Sequence, residues 1–112
     1  MRSLPALVVI ALLGACASTK FNPFPGAPEY SAYPGEVTVL KTFPQSGSYD
    51  SLGIVVVYGV DLTDEEDLIE ALQKEAAGRG ANAIVLQGDV NVRTRGGYTE
   101  KVLAAYALRL KP

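Results

Sequence analysis

Residues 76–85 read "AAGRGANAIV", and the reading of this stretch decides the fold. Gly78, Gly80 and Ala83 spell G-x-G-x-x-A, the spacing of a dinucleotide-binding turn. Such a turn follows a strand and opens a helix, so that helix N–H groups face the phosphate. Here the order is reversed. Upstream, Leu68, Ile69, Leu72 and Ala76 recur at helical spacing and form one apolar stripe. Downstream, "ANAIVLQ" (81–87) is a short apolar run of strand character. A phosphate at these glycines would meet the carbonyl end of the helix dipole, which repels it. The glycines therefore read as a helix stop. Gly80 takes the left-handed conformation just past the helix, and Gly78 loosens the last turn so that it can close. The small residues Ala76, Ala77, Ala81 and Ala83 suit a helix end lying close on a sheet.

Working back from that stop, Thr63-Asp64-Glu65-Glu66 fits a capping box, with Thr63 at the N-cap and Glu66 reaching back. Asp64, Glu65, Glu66 and Asp67 crowd the first turn, where the dipole favours anions. Glu70 and Lys74 form an i,i+4 pair on the wet side. The helix is predicted from Asp64 to Gly78 or Arg79. The acids do not read as a calcium loop, because they are consecutive and point in different directions on a helix, whereas calcium ligands alternate along a loop.

On either side of the helix the chain reads as strands. "EVTVLKT" (36–42) alternates and is rich in β-branched residues. "FPQSGSYDS" (43–51) is a loop. "LGIVVVYGV" (52–60) is a continuous apolar run too short for a helix, and predicts a central strand covered on both faces or at least well protected. Gly53 within it marks a bulge or a close backbone approach. After the helix, a strand from Ala81 extends through alternating Val90, Val92 and Thr94 to a Gly96-Gly97 turn. The last strand, "KVLAAYALRL" (101–110), places Val102, Ala104, Tyr106, Leu108 and Leu110 on one face. Leu103, Ala105, Ala107 and Arg109 take the other, which is small enough to receive the helix or another subunit. The expected fold is α+β, ββαββ: a four-stranded mixed sheet with one helix packed on one face, over residues 36–112. If strands two and three are parallel, the helix crosses over in the right-handed sense.

The N-terminus carries a different signal. "MRSLPALVVIALLGAC" (1–16) has a basic Arg2, an apolar run from Leu4 to Leu13, and small residues before Cys16. This is the pattern of a signal peptide over 1–15. Its apolar run is shorter than the ~20 residues of a spanning helix. Leu13-Gly14-Ala15-Cys16 resembles the bacterial lipobox, with the chain's one cysteine at the modified position. The resemblance implies cleavage before Cys16, acylation of its sulfur and its new amine, and a membrane partner held through the acyl chains. Several acyl chains, at about 0.8 kcal/mol per buried CH₂, anchor stably where a single chain does not.

Residues 16–35 then read as the acylated cysteine and a tether. Pro23, Pro25, Pro28 and Pro34 interrupt "ASTKFNPFPGAPEYSAYPG" (17–35), and Gly26 and Gly35 loosen it. It is expected to be extended and mostly unstructured, reaching on the order of 60 Å. Its aromatics, Phe21, Phe24, Tyr30 and Tyr33, lie near the lipid surface or dock on a partner or on the domain itself.

Composition narrows the chemistry. There is no histidine, and once Cys16 is acylated no thiol is left for a disulfide, redox work or a metal site. Loss of Arg2 takes the formal net charge from −2 to −3, which argues against nucleic-acid binding. No cofactor and no metal are expected. Lys41, Asp50 and Ser51 flank one loop and are the nearest approach to a catalytic set, but nothing in their spacing shows mutual reach. The chain is read as non-enzymatic.

Two phrases extend the reading: Pro44 followed by Tyr49-Asp50-Ser51-Leu52-Gly53-Ile54-Val55, and Ala76-Ala77-Gly78-Arg79-Gly80-Ala81-Asn82-Ala83-Ile84. With them, residues 37–110 resemble a group of small bacterial envelope lipoproteins. The second phrase is also similar to one in the outer-membrane stress-sensor lipoprotein of the Rcs phosphorelay and to one in a small family named for heavy-metal binding. The resemblance implies a fold more than an activity. The stress sensor relies on disulfides in this domain, which this chain cannot form. Ala17 after the acylated cysteine, in place of Asp, implies sorting to the outer membrane, with the domain facing the periplasm. The expected function is a lipid-anchored interaction domain for a protein partner or a homo-oligomer. Its candidate contact surface is Arg93, Arg95 and Tyr98 at the hairpin tip together with Arg79, since exposed Arg and Tyr are frequent interface hot spots. The alternative is a glycan- or lipid-binding module that uses an uncovered sheet face.

Overall fold

The computed structural model describes residues 17–60 and 63–112. The signal segment 1–15 and Cys16 lie outside the described residues. In chain order the elements are β1 (Ala17–Pro23), β2 (Thr38–Leu40), β3 (Tyr49–Val60), α1 (Glu65–Gly78), β4 (Ala83–Leu86), β5 (Asn91–Arg95) and β6 (Tyr98–Leu110). The fold is α+β, with one helix among the described residues and one mixed sheet.

The sheet has six strands, in the order β1-β3-β6-β4-β2, with β5 beside β6. The expectation of four strands fails in two places. Gly88, at φ 75°, turns the chain after β4, so the single long strand expected there becomes β4 and β5. Ala17–Pro23, read as tether, pairs antiparallel with Gly53–Gly59 of β3. The strand expected over 36–42 shrinks to Thr38–Leu40 at the far edge, parallel to β4. β6 is the organising strand. It pairs with β3 along one edge, and with β4 and β5 along the other. β3 and β4 therefore run parallel with β6 between them, so α1 bridges a β-α-β unit split by one strand.

α1 seats on one face for reasons visible strand by strand. Val55, Val57, Leu103, Ala105, Ala107 and Ile84 are buried beneath Leu68, Leu72 and Ala76 of the helix. The alanines of β6 keep that floor low, and each buried leucine contributes about 1.5–3 kcal/mol. β3 is central, as expected, but only one of its faces is fully covered. Ile54, Val56 and Tyr58 on the other face are half-buried. There a second cluster gathers Ala83, Val85 and Leu108 with Leu40, Tyr49, Tyr106 and Leu110. Phe43 leans over Tyr106 and Tyr49 at 5.1 and 6.0 Å between ring centroids.

The glycine signals behave as read. The β3–β6 register shifts between Ser51 and Gly53, and a side chain at Gly53 would run into Phe21 and Pro23 of β1. Gly96 and Gly97 both have positive φ, 59° and 88°, in a two-residue hairpin loop between β5 and β6.

Candidate functional site

The site grows from the C-terminal end of α1. Arg79 is the C-cap, the Gly80 N–H donates to Ala77 O, and the Ala81 N–H donates to Ala76 O. These two bonds make a Schellman closure, and Gly80 takes the left-handed φ of 91° that it requires. The chain leaves the turn through Asn82, which joins three strands. Its N–H donates to Leu108 O, its carbonyl accepts from Thr38 N, and its amide side chain both accepts from Leu110 N at 2.6 Å and donates to Leu110 O.

The proline-rich segment folds back onto this corner. The Tyr33 N–H donates to Ala77 O at 2.8 Å, a second bond on the carbonyl that Gly80 N–H already reaches. Tyr30 packs directly on Gly80, where a Cβ would lie 2.8 Å from the Tyr30 carbonyl oxygen. Arg109, from β6, donates to Gly80 O at 2.8 Å and lies 4.8 Å from the Tyr30 ring centroid and 5.5 Å from that of Tyr33. The last turn of α1 has no basic residue of its own, and Arg109 brings a cation to the negative end of its dipole. The Tyr30 hydroxyl donates to Asp50 Oδ2 at 2.6 Å. That bond, with partial desolvation and the Asp50 charge, raises the Tyr30 pKa above the ordinary tyrosine value of 10.0, and Arg109 pulls the other way.

Residues 17–35 are therefore not an unstructured tether. The first seven form β1, and the rest wrap the end of α1. Between that wrap and the sheet lies a groove of about 520 Å³, lined by Phe21, Phe24, Tyr30 and Leu52 and by the charged Glu29 and Arg79. Its size falls within the ~300–1,000 Å³ of ligand pockets. The Arg79 guanidinium lies over the Phe21 ring at 5.1 Å and pairs with Glu75 at 3.0 Å, while about half of the side chain stays exposed.

The four residues read as one contact surface are separated. Arg79 stands at the end of α1. Arg93, paired with Glu100 at 2.8 Å, lies on the β5–β6 hairpin, where Arg95 and Tyr98 are the register pair next to the turn. By strand register the hairpin tip and the groove are on the order of 30 Å apart. Asp50, from the loop considered for catalysis, is held by Tyr30 and approached by Lys111 at 3.9 Å. Ser51 and Lys41 are exposed.

Of the residues that build this corner, Tyr30 and Tyr33 carry a docking reading in the sequence, whereas Asn82 and Arg109 carry none. One signal for β1 was there. Ala17, Thr19 and Phe21 are half-buried and alternate with exposed Ser18 and Lys20, a period-two pattern masked by the prolines that follow. At the other end of α1 the capping-box expectation is corrected. Asp64 is the N-cap and makes no side-chain cap bond. Thr63 is buried, with its Oγ1 unpartnered, because it is drawn under the helix against Gly59 and Leu68 rather than left beside the first turn.

No family model matches the chain, and no curated protein matches it. Among solved structures, the crystal structure of a Francisella virulence factor, FvfA, in its orthorhombic form is similar. Its TM-score is 0.57 at 20% identity, covering 81% of this chain and 96% of that one. At that identity the likeness is one of fold alone.

Proposed function

We propose that this chain is a lipid-anchored protein of the bacterial envelope, held in the outer membrane through Cys16, whose domain binds a protein partner in the periplasm without catalysing a reaction. The groove at the end of α1 carries the reading. A segment with no regular structure is held against the helix stop by Tyr30, Tyr33 and Arg109, and what it encloses is a cleft with aromatic walls and two charged side chains, the half-exposed Arg79 and the exposed Glu29. Aromatic walls that carry one cation and one carboxylate suit a short stretch of a partner protein with an apolar anchor and polar flanks. The anchor rests on the lipobox-like "LGAC" and on the resemblance to small envelope lipoproteins.

A photoreactive residue at Ala27, inside the groove, tests the reading in intact cells. The expected outcome is one specific crosslinked protein, lost when Arg79 is replaced by Glu. A crosslinking pattern identical to that from exposed Ser46 would overturn it. Crosslinks only to a second copy of the chain would make the partner a homo-oligomer. For the anchor, mass spectrometry of the mature chain should find Cys16 acylated, and Cys16→Ser should release the protein from the membrane fraction.

A second reading is favoured by the open face of the sheet. Phe24, Phe43, Tyr49 and Tyr106 form one aromatic row there, a surface on which a sugar ring or a lipid chain can stack. Binding of oligosaccharides by the soluble domain, abolished by Tyr106→Ala and not by Arg79→Glu, would favour that face over the groove.

A further inference from the structure

We infer that the β5–β6 hairpin is a lipid-contacting element, and that the domain stands on the bilayer by that end with its groove turned away. The inference rests on the acylation of Cys16 proposed above, and it follows from the absence of a tether. Ala17, the residue after Cys16, is already in β1 and paired with Gly59. Adjacent Cα atoms are about 3.8 Å apart, so an acylated Cys16 brings the start of β1 to the membrane surface with no slack. Whatever shares that end of the sheet comes with it.

Register shows what shares it. β1 begins beside Gly59, Gly59 pairs with Lys101 and Val60 with Glu100. β6 and β5 continue past Val60 to the Gly96-Gly97 turn. The tip thus runs roughly 10 Å beyond the level of Cys16 at about 3.3 Å per residue. The polar layer of one leaflet is of similar depth, about 5–8 Å, so an anchored domain standing along its strands puts the tip among the headgroups.

Surface chemistry at this end agrees independently. Val60 and Val92, two of the few large apolar residues that are mostly exposed, lie here at 50% and 58% exposure. The tip sequence Arg95-Gly96-Gly97-Tyr98 joins the residue types that settle at headgroup level, tyrosine and arginine. The exposed acids Asp64, Glu65, Glu66 and Asp67 open α1 at the same end. They oppose an anionic surface, so the contact is apolar and interfacial rather than a charge match, and the domain leans on the hairpin with the helix start tilted away. The groove, at the opposite end of β3, faces the aqueous compartment.

The test uses the full acylated protein in zwitterionic phosphatidylcholine vesicles. With the Cys16 sulfur blocked by lipid, a cysteine introduced at Thr94 or at its register partner Thr99 on the hairpin, or at Ser46 in the distal loop, is the only free thiol, and each takes an environment-sensitive fluorophore. The hairpin labels should shift to the blue and lose most of their emission to a headgroup-attached quencher, while the Ser46 label should do neither. Mass spectrometry of the same samples separates the two failures. Acylated Cys16 with hairpin labels as wet as the Ser46 label overturns this inference and leaves the anchor standing. Unmodified Cys16 overturns both. The two hairpin positions guard against a single label that distorts its strand, and circular dichroism identifies any variant that has not folded.

Discussion

The two ends of helix α1 were equally conspicuous in the sequence, and the structure treats them oppositely. At the C-terminal end the glycines form the expected closure, and three other parts of the chain gather on it: Tyr30 and Tyr33 from the wrap, Arg109 from β6, and Asn82 leading into β4. At the N-terminal end the expected capping box is missing, the N-cap Asp64 makes no side-chain cap bond, and a buried hydroxyl has no partner among the described residues. The difference lies in what each signal consists of. A Gly stop is a backbone requirement that the chain meets locally, since few residues other than glycine enter the left-handed region without strain. A capping hydroxyl must also be free to point at the helix, and burial of the same residue removes that freedom.

If the C-terminal end is the rivet of the domain, Gly80→Ala should be the most damaging of the substitutions considered. It adds about 1–2 kcal/mol of left-handed strain and drives a methyl group into the Tyr30 backbone, for a total of about 2–4 kcal/mol. Chemical denaturation of the soluble domain measures it. A loss below about 0.5 kcal/mol would mean that the wrap moves aside freely and that the rivet is only a turn.

Arg109→Leu comes next. It removes a charged hydrogen bond to Gly80 O and the stacking on two tyrosines, and keeps most of the apolar stem, so about 2 kcal/mol should be lost. Limited proteolysis sharpens the comparison. Cleavage within residues 24–35 should rise steeply in Arg109→Leu, while β1 stays protected by its ladder with β3. Equal cutting in variant and parent would show that Arg109 does not hold the wrap.

Arg109 also marks how far the sequence could be read. Helix limits, the Gly80 stop, the Gly53 bulge, the hairpin turn and the small face of β6 under the helix were all legible, because each is written in local periodicity or in a residue that the backbone demands. The wrap was not. Pro23, Pro25, Pro28 and Pro34 signal a chain that donates little to ladders, which points to a mostly unstructured tether and leaves docking of its aromatics on the domain as the alternative. The segment instead docks through the faces of Tyr30 and Tyr33 and one Tyr33 amide, contacts that need a guanidinium about 80 residues further on and leave no period to read. The same oversight split the candidate surface, since Arg79 belongs to the groove and the other three residues to the hairpin.

A pH titration probes the rivet without mutating the helix. Tyr30 is held protonated by its bond to Asp50, so its ionisation should fall above that of ordinary tyrosines. The folded form thus favours the protonated phenol. That contribution to stability is fully present below the unfolded tyrosine value of about 10, and is lost as pH rises through the higher folded value. Asp50→Asn should bring Tyr30 back toward the other tyrosines in an ultraviolet difference titration. An unchanged curve would detach Tyr30 from Asp50 in solution.

The smallest effect, and the one whose sign is most informative, belongs to Thr63→Val. A working N-cap hydroxyl replaced by a methyl group should destabilise the domain by about 1 kcal/mol. A hydroxyl buried without a partner, replaced by a group of the same shape, should leave stability unchanged or raise it by up to about 1 kcal/mol, because the desolvation of the oxygen is no longer required. Thr63 Oγ1 is in the second situation, so a neutral or stabilising outcome is expected in thermal or urea unfolding. The main-chain bonds in which Thr63 takes part, its N–H to Val60 O and its carbonyl to Lys101 Nζ, do not involve the hydroxyl and survive the change. A loss near 1 kcal/mol would mean that the hydroxyl turns to the helix in solution, and the two ends of α1 would then be capped alike.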